Sequence, residues 1–359
     1  MGRIAEAACR RGAGISEVED EGAAEGRYRL YGTNGSPYSM KLRAILRYRR
    51  LPFDWVLRTE RNNDLLAHVS PPVIPILQFP GDGRFQSDST PLAYLLEERH
   101  PLARSIVPND PVHAYLSHLI EDFADEWGTK IMFWYRWARD EDIAYSRLWI
   151  ADDFFPDRKG EARTAIAEEF AQRQIGRMAL VGCTKENAPI IEASFERILD
   201  LLEPHVGLHD FLFGSRPALA DFGLFGQLKP LSEDATPQTI MRARAQRVES
   251  WVRQLDDASG IEGDWLDNDA SPPKATLGLL RLIGELYLPF LAANAEAFAA
   301  DSETFALDLL GRTYTQAPFK YQVNCLAEIK SRLNALAGPN KPRARAILEE
   351  TGCWTALVS

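Results

Sequence analysis

Between residues 28 and 100 the apolar positions switch repeatedly between the two-residue period of a strand and the helical period of three to four. Tyr28-Arg-Leu-Tyr31 reads as a short strand. Pro37 to Arg50 reads as a helix, apolar at Tyr38, Leu42, Ile45 and Leu46. Arg47, Arg49 and Arg50 close it, where cations suit the helix dipole. Phe53-Asp-Trp-Val-Leu57 is a second strand, and Arg61 to Val69 a poorly patterned short helix or loop. Val73-Ile-Pro-Ile-Leu-Gln-Phe79 and Arg84-Phe-Gln86 flank Gly81-Asp-Gly83, a good hairpin turn. Asp88-Ser-Thr-Pro then opens a helix running to Glu98. This order predicts a small mixed sheet with helices on both faces.

After Pro111 the pattern is helical almost throughout. Val112 to Asp140 reads as one long, aromatic helix, followed by Glu161 to Met178, Ala188 to Glu203, Leu219 to Leu228 and Thr239 to Leu255. Gly260 to Pro273 is a turn-rich break, after which Ala275 to Ala300, Tyr321 to Leu336 and Arg343 to Glu350 are helical again. The chain therefore divides into a mobile tail (1–27), an α/β domain (28–101), an all-α domain (111–258) and a mostly helical C-terminal extension (259–359).

The net charge of −10 argues against a general nucleic-acid or anionic-membrane surface. The most apolar stretch, Leu277 to Ala300, contains Arg281, Glu285, Pro289, Asn294 and Glu296, which does not suit a bilayer core. The tail has no apolar h-region, and its acidic run at Glu17, Glu19, Asp20 and Glu21 does not fit a transit peptide. Cysteines stand apart at 9, 183, 325 and 353, which suits a reducing, cytoplasmic compartment and offers no zinc-type cluster. His205 and His209 lie one helical turn apart without an acidic or cysteine partner, so no metal is expected.

The stretch Ser36-Pro37-Tyr38-Ser39 carries the most chemistry. It lies where a strand passes through a Gly-bearing loop into a helix, so free N–H groups and a positive dipole end face whatever docks there. It has the shape of a Cys-Pro-Tyr-Cys redox motif with hydroxyls in place of both sulfurs. Such hydroxyls form no disulfide, but they can hydrogen-bond a thiolate belonging to another molecule. Three further motifs follow in order: Val73-Ile-Pro-Ile-Leu77, Asp88-Ser89-Thr-Pro-Leu, and Phe211-Leu-Phe-Gly-Ser-Arg-Pro-Ala-Leu-Ala-Asp-Phe-Gly-Leu-Phe225.

Together these resemble the glutathione transferase superfamily, Ser- or Cys-type members, over about residues 28–256. The resemblance implies a thioredoxin-like domain, then an all-α domain, with the extension outside the usual family length. It implies a cytoplasmic, homodimeric, detoxifying enzyme that binds glutathione, stabilises its thiolate and joins it to an apolar electrophile. Ser36 would donate to the thiolate, or only cap its helix; Ser39, Asn34 and Tyr31 are the alternative donors. A cis bond at Pro75 would present the backbone of Ile74 to the ligand's cysteinyl part, and Asp88 and Ser89 would hold its γ-glutamyl end. Tyr38, Trp134 and Trp137 would line the electrophile pocket, with Arg136 in a surface ion pair or on an acidic substrate group.

Two departures stand out. Val73 replaces a Lys or Gln that would contact the glycyl carboxylate, unless Asn62, Asn63, His68 or Lys41 substitutes. Ala218-Leu-Ala-Asp221 keeps only half of a helix capping box, since alanine has no hydroxyl. These departures keep open a non-catalytic glutathione- or ligand-binding, or interaction, protein of the same fold. Cys183 reads either as activated near a helix start or as a small buried hydrophobe. Thiol–disulfide exchange by the protein itself is disfavoured because Ser36 and Ser39 replace both sulfurs.

Overall fold

The computed structural model describes residues 26–101 and 104–358. Most of the expected tail lies outside the described residues; Arg27, assigned to it, ion-pairs Asp54 at 2.7 Å. The α/β domain contains β1 (Tyr28–Gly32), α1 (Pro37–Tyr48), β2 (Phe53–Leu57), α2 (Asn63–Leu66), β3 (Ile76–Gln78), β4 (Phe85–Ser87) and α3 (Ser89–Arg99). Its sheet has the order β2-β1-β3-β4, with β1 parallel to β2 and antiparallel to β3. Alternate side chains point to opposite faces. Leu30, Leu77 and Phe79 therefore pack with Leu42 and Leu46 of α1 and Leu92 and Leu96 of α3. Tyr31 and Ile76 pack with Leu66 and Val69 on the other side. This is the thioredoxin-like domain that the sequence predicts.

The helical domain comprises α4 (Pro111–Glu126), α5 (Gly128–Trp137), α6 (Asp140–Phe154), α7 (Gly160–Ile175), α8 (Ala188–Val206), α9 (Leu219–Leu231), α10 (Ala235–Arg244) and α11 (Gln246–Asp256). The single helix expected over Val112 to Asp140 is two, broken at Trp127. At Gly128 a Cβ would lie 2.9 Å from the Gln227 side chain, so glycine lets α9 approach the break. α6, which the apolar spacing does not predict, opens on Asp140, Glu141 and Asp142, where acids suit the dipole. The helix expected over Thr239 to Leu255 is also two, divided at the non-helical Ala245. Asp221 accepts the N–H groups of Ala218 and Leu212 at 2.8 and 3.1 Å, so the half capping box still holds the start of α9. α9 lies directly on α1. A Cβ at Gly226 would stand 2.8 Å from the Pro37 carbonyl oxygen, a contact only glycine permits.

The extension comprises α12 (Lys274–Leu282), a π-helical turn (Ile283–Tyr287), α13 (Leu288–Ala299), β5 (Phe305–Leu309), β6 (Arg312–Gln316), α14 (Lys320–Ala335), α15 (Asn340–Glu350) and α16 (Trp354–Val358). The antiparallel β5–β6 hairpin fills the stretch between the expected helices ending at Ala300 and starting at Tyr321, to which the sequence pattern assigns no element. Its turn places Leu310 and Gly311 at φ +50° and +74°, and leucine is an uncommon residue at positive φ. Lys274–Ala299 is long and apolar enough to cross a bilayer by composition, yet most of it is buried within the fold. Its aromatic rings enter the helical domain's core, with Tyr287 5.7 Å from Phe123 and Phe290 5.5 Å from Trp127. One continuous apolar cluster runs from Met40 on α1 to Leu357 on α16.

Candidate functional site

A cleft of about 1330 Å³ lies between the α/β domain, helices α4 to α7 and the extension. At one wall Ser36 stands in extended conformation ahead of α1, 9 % exposed. Its Oγ accepts the Ser39 N–H at 3.2 Å, as a cap should. A hydroxyl that accepts an N–H still has its own hydrogen to donate, so capping and donation into the cleft are compatible.

The three alternative donors do not line the cleft. Ser39 is fully buried against the strand: a Cβ added at Gly32 would meet its Oγ at 2.6 Å. Asn34 is held by Asp153, through its N–H at 2.8 Å and its Nδ2 at 3.2 Å, and by Arg43 at 3.1 Å. Tyr31 points its hydroxyl at Gln78 Oε1, 3.4 Å away.

The next wall is the loop before β3. The Ile74–Pro75 peptide is cis, as the resemblance implies, and so is Ser70–Pro71. Ile74 lines the cleft, whereas Pro75 does not. Asp88 and Ser89 reach the cleft at the start of α3. Asp88 sits at φ +83°, and its Oδ2 accepts the Tyr321 hydroxyl of α14 at 3.2 Å. Val73 is 46 % exposed on the rim and supplies no polar group.

Of the expected substitutes for Val73, only Asn63 lines the cleft. Lys41 is fully buried between carboxylates, His68 lies edge-on to Phe85, and Asn62 donates to the Leu57 carbonyl at 2.8 Å. Arg58, a cation that sequence reasoning missed, does line the cleft. It follows β2 directly, and its Nη1 donates to the Thr59 carbonyl at 2.9 Å and Asn62 Oδ1 at 3.0 Å.

The electrophile-pocket residues separate. Tyr38 lines the cleft, its hydroxyl engaged by Thr129 Oγ1 at 2.6 Å and the Asp125 carbonyl at 3.1 Å. Burial and the nearby Glu126 and Asp125 raise that phenol well above its usual range. Trp137 also lines the cleft, with Phe133, Phe154, Phe155 and Phe170. Trp134 does not: its Nε1 donates to Glu192 at 2.7 Å, so two residues three apart on α5 serve different surroundings. Arg136 is not in a surface pair but 3 % exposed beside Asp234.

Cys183 is buried and donates to the Lys130 carbonyl at 3.2 Å; burial pushes its thiol up to about 12, which leaves it unreactive. His205 and His209 stack with ring centres 5.0 Å apart. Among the described residues no group of three or more His, Cys, Asp or Glu side chains is arranged to hold a metal.

The extension supplies Tyr321, Gln322, Cys325 and Arg332 to the cleft, a contribution no motif announces. They face an acidic floor on α4. Burial pushes the carboxyl of Asp122 up to about 7, although the Tyr287 hydroxyl donates to it at 2.5 Å. Burial, with Asp122 and Asp125 close by, pushes Glu126 up to about 8. Ordinary carboxyl values lie near 4. Both groups therefore hold protons in the folded state that the unfolded chain has lost, from about pH 4 to about pH 7 for Asp122 and to about pH 8 for Glu126. Stability should fall as pH rises through that window. The thermal midpoint is expected to be lower at pH 8 than at pH 6, with a shallower decline in Glu126→Gln; an unchanged slope in that variant would refute the assignment.

Comparisons with known proteins agree with this geometry at its N-terminal wall. Residues 30–104 match the family model of the glutathione S-transferase N-terminal domain. No curated protein sequence matches the chain. Among solved structures, a glutathione S-transferase from Methylobacterium radiotolerans in complex with glutathione sulfonate is similar at 22 % identity, covering 68 % of this chain and 98 % of that one, with a TM-score of 0.39. The β-etherase LigF from Sphingobium sp. strain SYK-6 is similar at 18 % identity, covering 64 % and 94 %, with a TM-score of 0.45. A glutathione transferase from Phanerochaete chrysosporium is similar at 16 % identity, covering 65 % and 97 %, with a TM-score of 0.45. Residues 30–104 are thus a glutathione S-transferase N-terminal domain, joined in this chain to a helical domain and a helical extension.

Proposed function

We propose that this protein binds glutathione in the cleft, stabilises its thiolate at Ser36, and conjugates it to an apolar electrophile held against the aromatic wall. The observation that supports this most is that Ser36, Ile74, Asp88 and Ser89, three segments distant in sequence, all line one cleft. The residues fit the ligand group by group. A hydroxyl donor at the start of α1 suits the sulfur, and the start of α3 suits the γ-glutamyl carboxylate. The Asp88 carboxylate suits the ammonium, and the Arg58 guanidinium suits the glycyl carboxylate. Phe133, Trp137, Phe154 and Phe170 would take the electrophile: the thiolate's electron pair forms the new carbon–sulfur bond, the carbon's bond to its leaving group breaks, and the leaving group departs with that bond's electrons while the thiol proton goes to solvent. The proposal extends to a cytoplasmic homodimer, the compartment and assembly the family resemblance implies.

Calorimetric titration with glutathione tests the binding. Saturable binding to the wild type is expected, weakened about tenfold in Arg58→Ala, the size of one lost charge-assisted contact. A wild type that takes up no glutathione would rule the proposal out. A second reading, a ligand-binding protein without turnover, is favoured by the Tyr321 hydroxyl already resting on Asp88. Binding without conjugation of any of a panel of aromatic electrophiles would select it.

A further inference from the structure

Arg136 is the one cleft-lining guanidinium that the fold buries almost completely, at 3 % exposure. Its Nε donates to Asp234 Oδ2 at 2.8 Å, and its Nη1 to the Gly35 carbonyl at 2.7 Å. Its Nη2 has no hydrogen-bond partner among the described residues. The plane lies 5.5 Å from the Trp149 ring centre. Asp234 is fully buried as well, and its other oxygen accepts the Ser146 hydroxyl at 2.8 Å. Taking a guanidinium out of water is costly, and leaving one of its donors unpaired adds a further penalty. A fold that needed only the ion pair would not have to bury an unpaired donor at the cleft wall.

The position gives that donor a purpose. Gly35 is the residue before Ser36, so the guanidinium sits one peptide unit from the hydroxyl at the start of α1. Three positive features then converge: the helix dipole, the Ser36 hydroxyl hydrogen and a desolvated cation. The other charged groups packed around the loop are Asp153, which holds Asn34, and Arg43, which binds Asn34 and Asp256. Asp234 draws off part of the cation's field but leaves Nη2 unpaired.

We propose that Arg136, brought from the helical domain, is a positioning and charge-stabilising residue for the thiolate bound at Ser36. It fixes the Gly35–Ser36 loop through the carbonyl and favours the sulfur anion through space. When the thiol ionises, its proton passes to solvent and the sulfur keeps the electron pair. The inference rests on the glutathione reading and adds to it a second-domain residue that sets how much of the bound thiol is ionised.

The test is a pH titration of the thiolate ultraviolet absorbance of glutathione bound to the full chain, with binding followed in parallel by calorimetry. Arg136→Gln is expected to raise the bound thiol's pKa by about one unit, the low end of what loss of a nearby opposite charge gives. Arg136→Lys should restore part of the shift, because it keeps the charge. Asp234→Asn keeps the guanidinium and removes its counter-charge, so it should lower the bound thiol's pKa, the opposite of what loop damage would do. Glutathione bound to Arg136→Gln with a wild-type thiol pKa would overturn the inference while leaving the glutathione reading intact. A rise in Asp234→Asn would overturn it too, even if Arg136→Gln does not fold. Absence of binding to the wild type would overturn both.

Discussion

Ser36→Ala is expected to lower glutathione conjugation about 10-fold to 1000-fold with the fold retained. A free thiol titrates near 8.5, so little of it is ionised at neutral pH. Lowering that value by two units takes about 3 kcal/mol, shared between a hydroxyl donor and a helix dipole. Alanine removes the hydroxyl share and leaves the dipole, so the loss is large but incomplete. It also removes the cap on Ser39 N–H, which costs about 1 kcal/mol of stability and shows as a lower unfolding midpoint. Ser36→Gly separates the two effects, because glycine caps nearly as well without a hydroxyl; its activity should fall as far as that of the alanine variant. Ser39→Ala should do less, since that hydroxyl is buried away from the cleft. Equal turnover by Ser36→Ala and wild type would end the assignment of Ser36 as thiolate donor.

Lys41→Met is expected to destabilise the protein by about 3–5 kcal/mol, the range for removing one partner of a buried ion pair. Lys41 is fully buried. Its Nζ donates to Glu121 Oε1 at 2.6 Å, to Asp125 Oδ2, and to Thr90 Oγ1 at 3.1 Å. One ammonium thus joins α1, α3 and α4 across the boundary between the two domains. Burial alone would strip its proton, but Asp125 and Glu121 more than offset that and keep it charged. Burial alone would also raise Glu121, and Lys41 reverses this, holding it below the usual carboxylate range. Methionine fills the space and leaves two carboxylates without a cation, beside Asp122 and Glu126. Urea unfolding measures the loss. Adding Glu121→Gln and Asp125→Asn should recover much of it; a single variant as stable as wild type would show that the pair contributes nothing net.

The α/β domain was largely legible in the sequence because its signals are local. Strand alternation, the Gly81-Asp-Gly83 turn and the Ser36-Pro37 cap each act within a few residues and mark the elements of the mixed sheet, whereas its order β2-β1-β3-β4 depends on pairings no local signal states. Ser36, Ile74, Asp88 and Ser89 were legible because the motifs that carry the family resemblance contain them. Lys41 and Arg136 were misjudged because burial of a charged side chain depends on partners far away, Glu121 and Asp125 for one and Asp234 for the other. The break at Trp127 depends on where Gln227 packs, and the β5–β6 hairpin turns on a leucine with positive φ. Arg58 carried no motif; only its place just after β2 could have suggested it. The wall built by Tyr321 and Gln322 is the least legible part, because nothing in that segment says which distant surface it covers.

That wall has a consequence for biosynthesis. Ser36, Ile74, Asp88 and Ser89 leave the ribosome early, but Tyr321, which reaches Asp88, lies 233 residues further along the chain. Before Tyr287 and Phe290 are made, Phe123 and Trp127 lack the rings that cover them. A nascent or prematurely ended chain would therefore carry every family motif and still present an open cleft above an uncovered apolar surface. The site is therefore completed late, and a chain that stops before Tyr287 should become material for chaperones and proteases, not a smaller working protein.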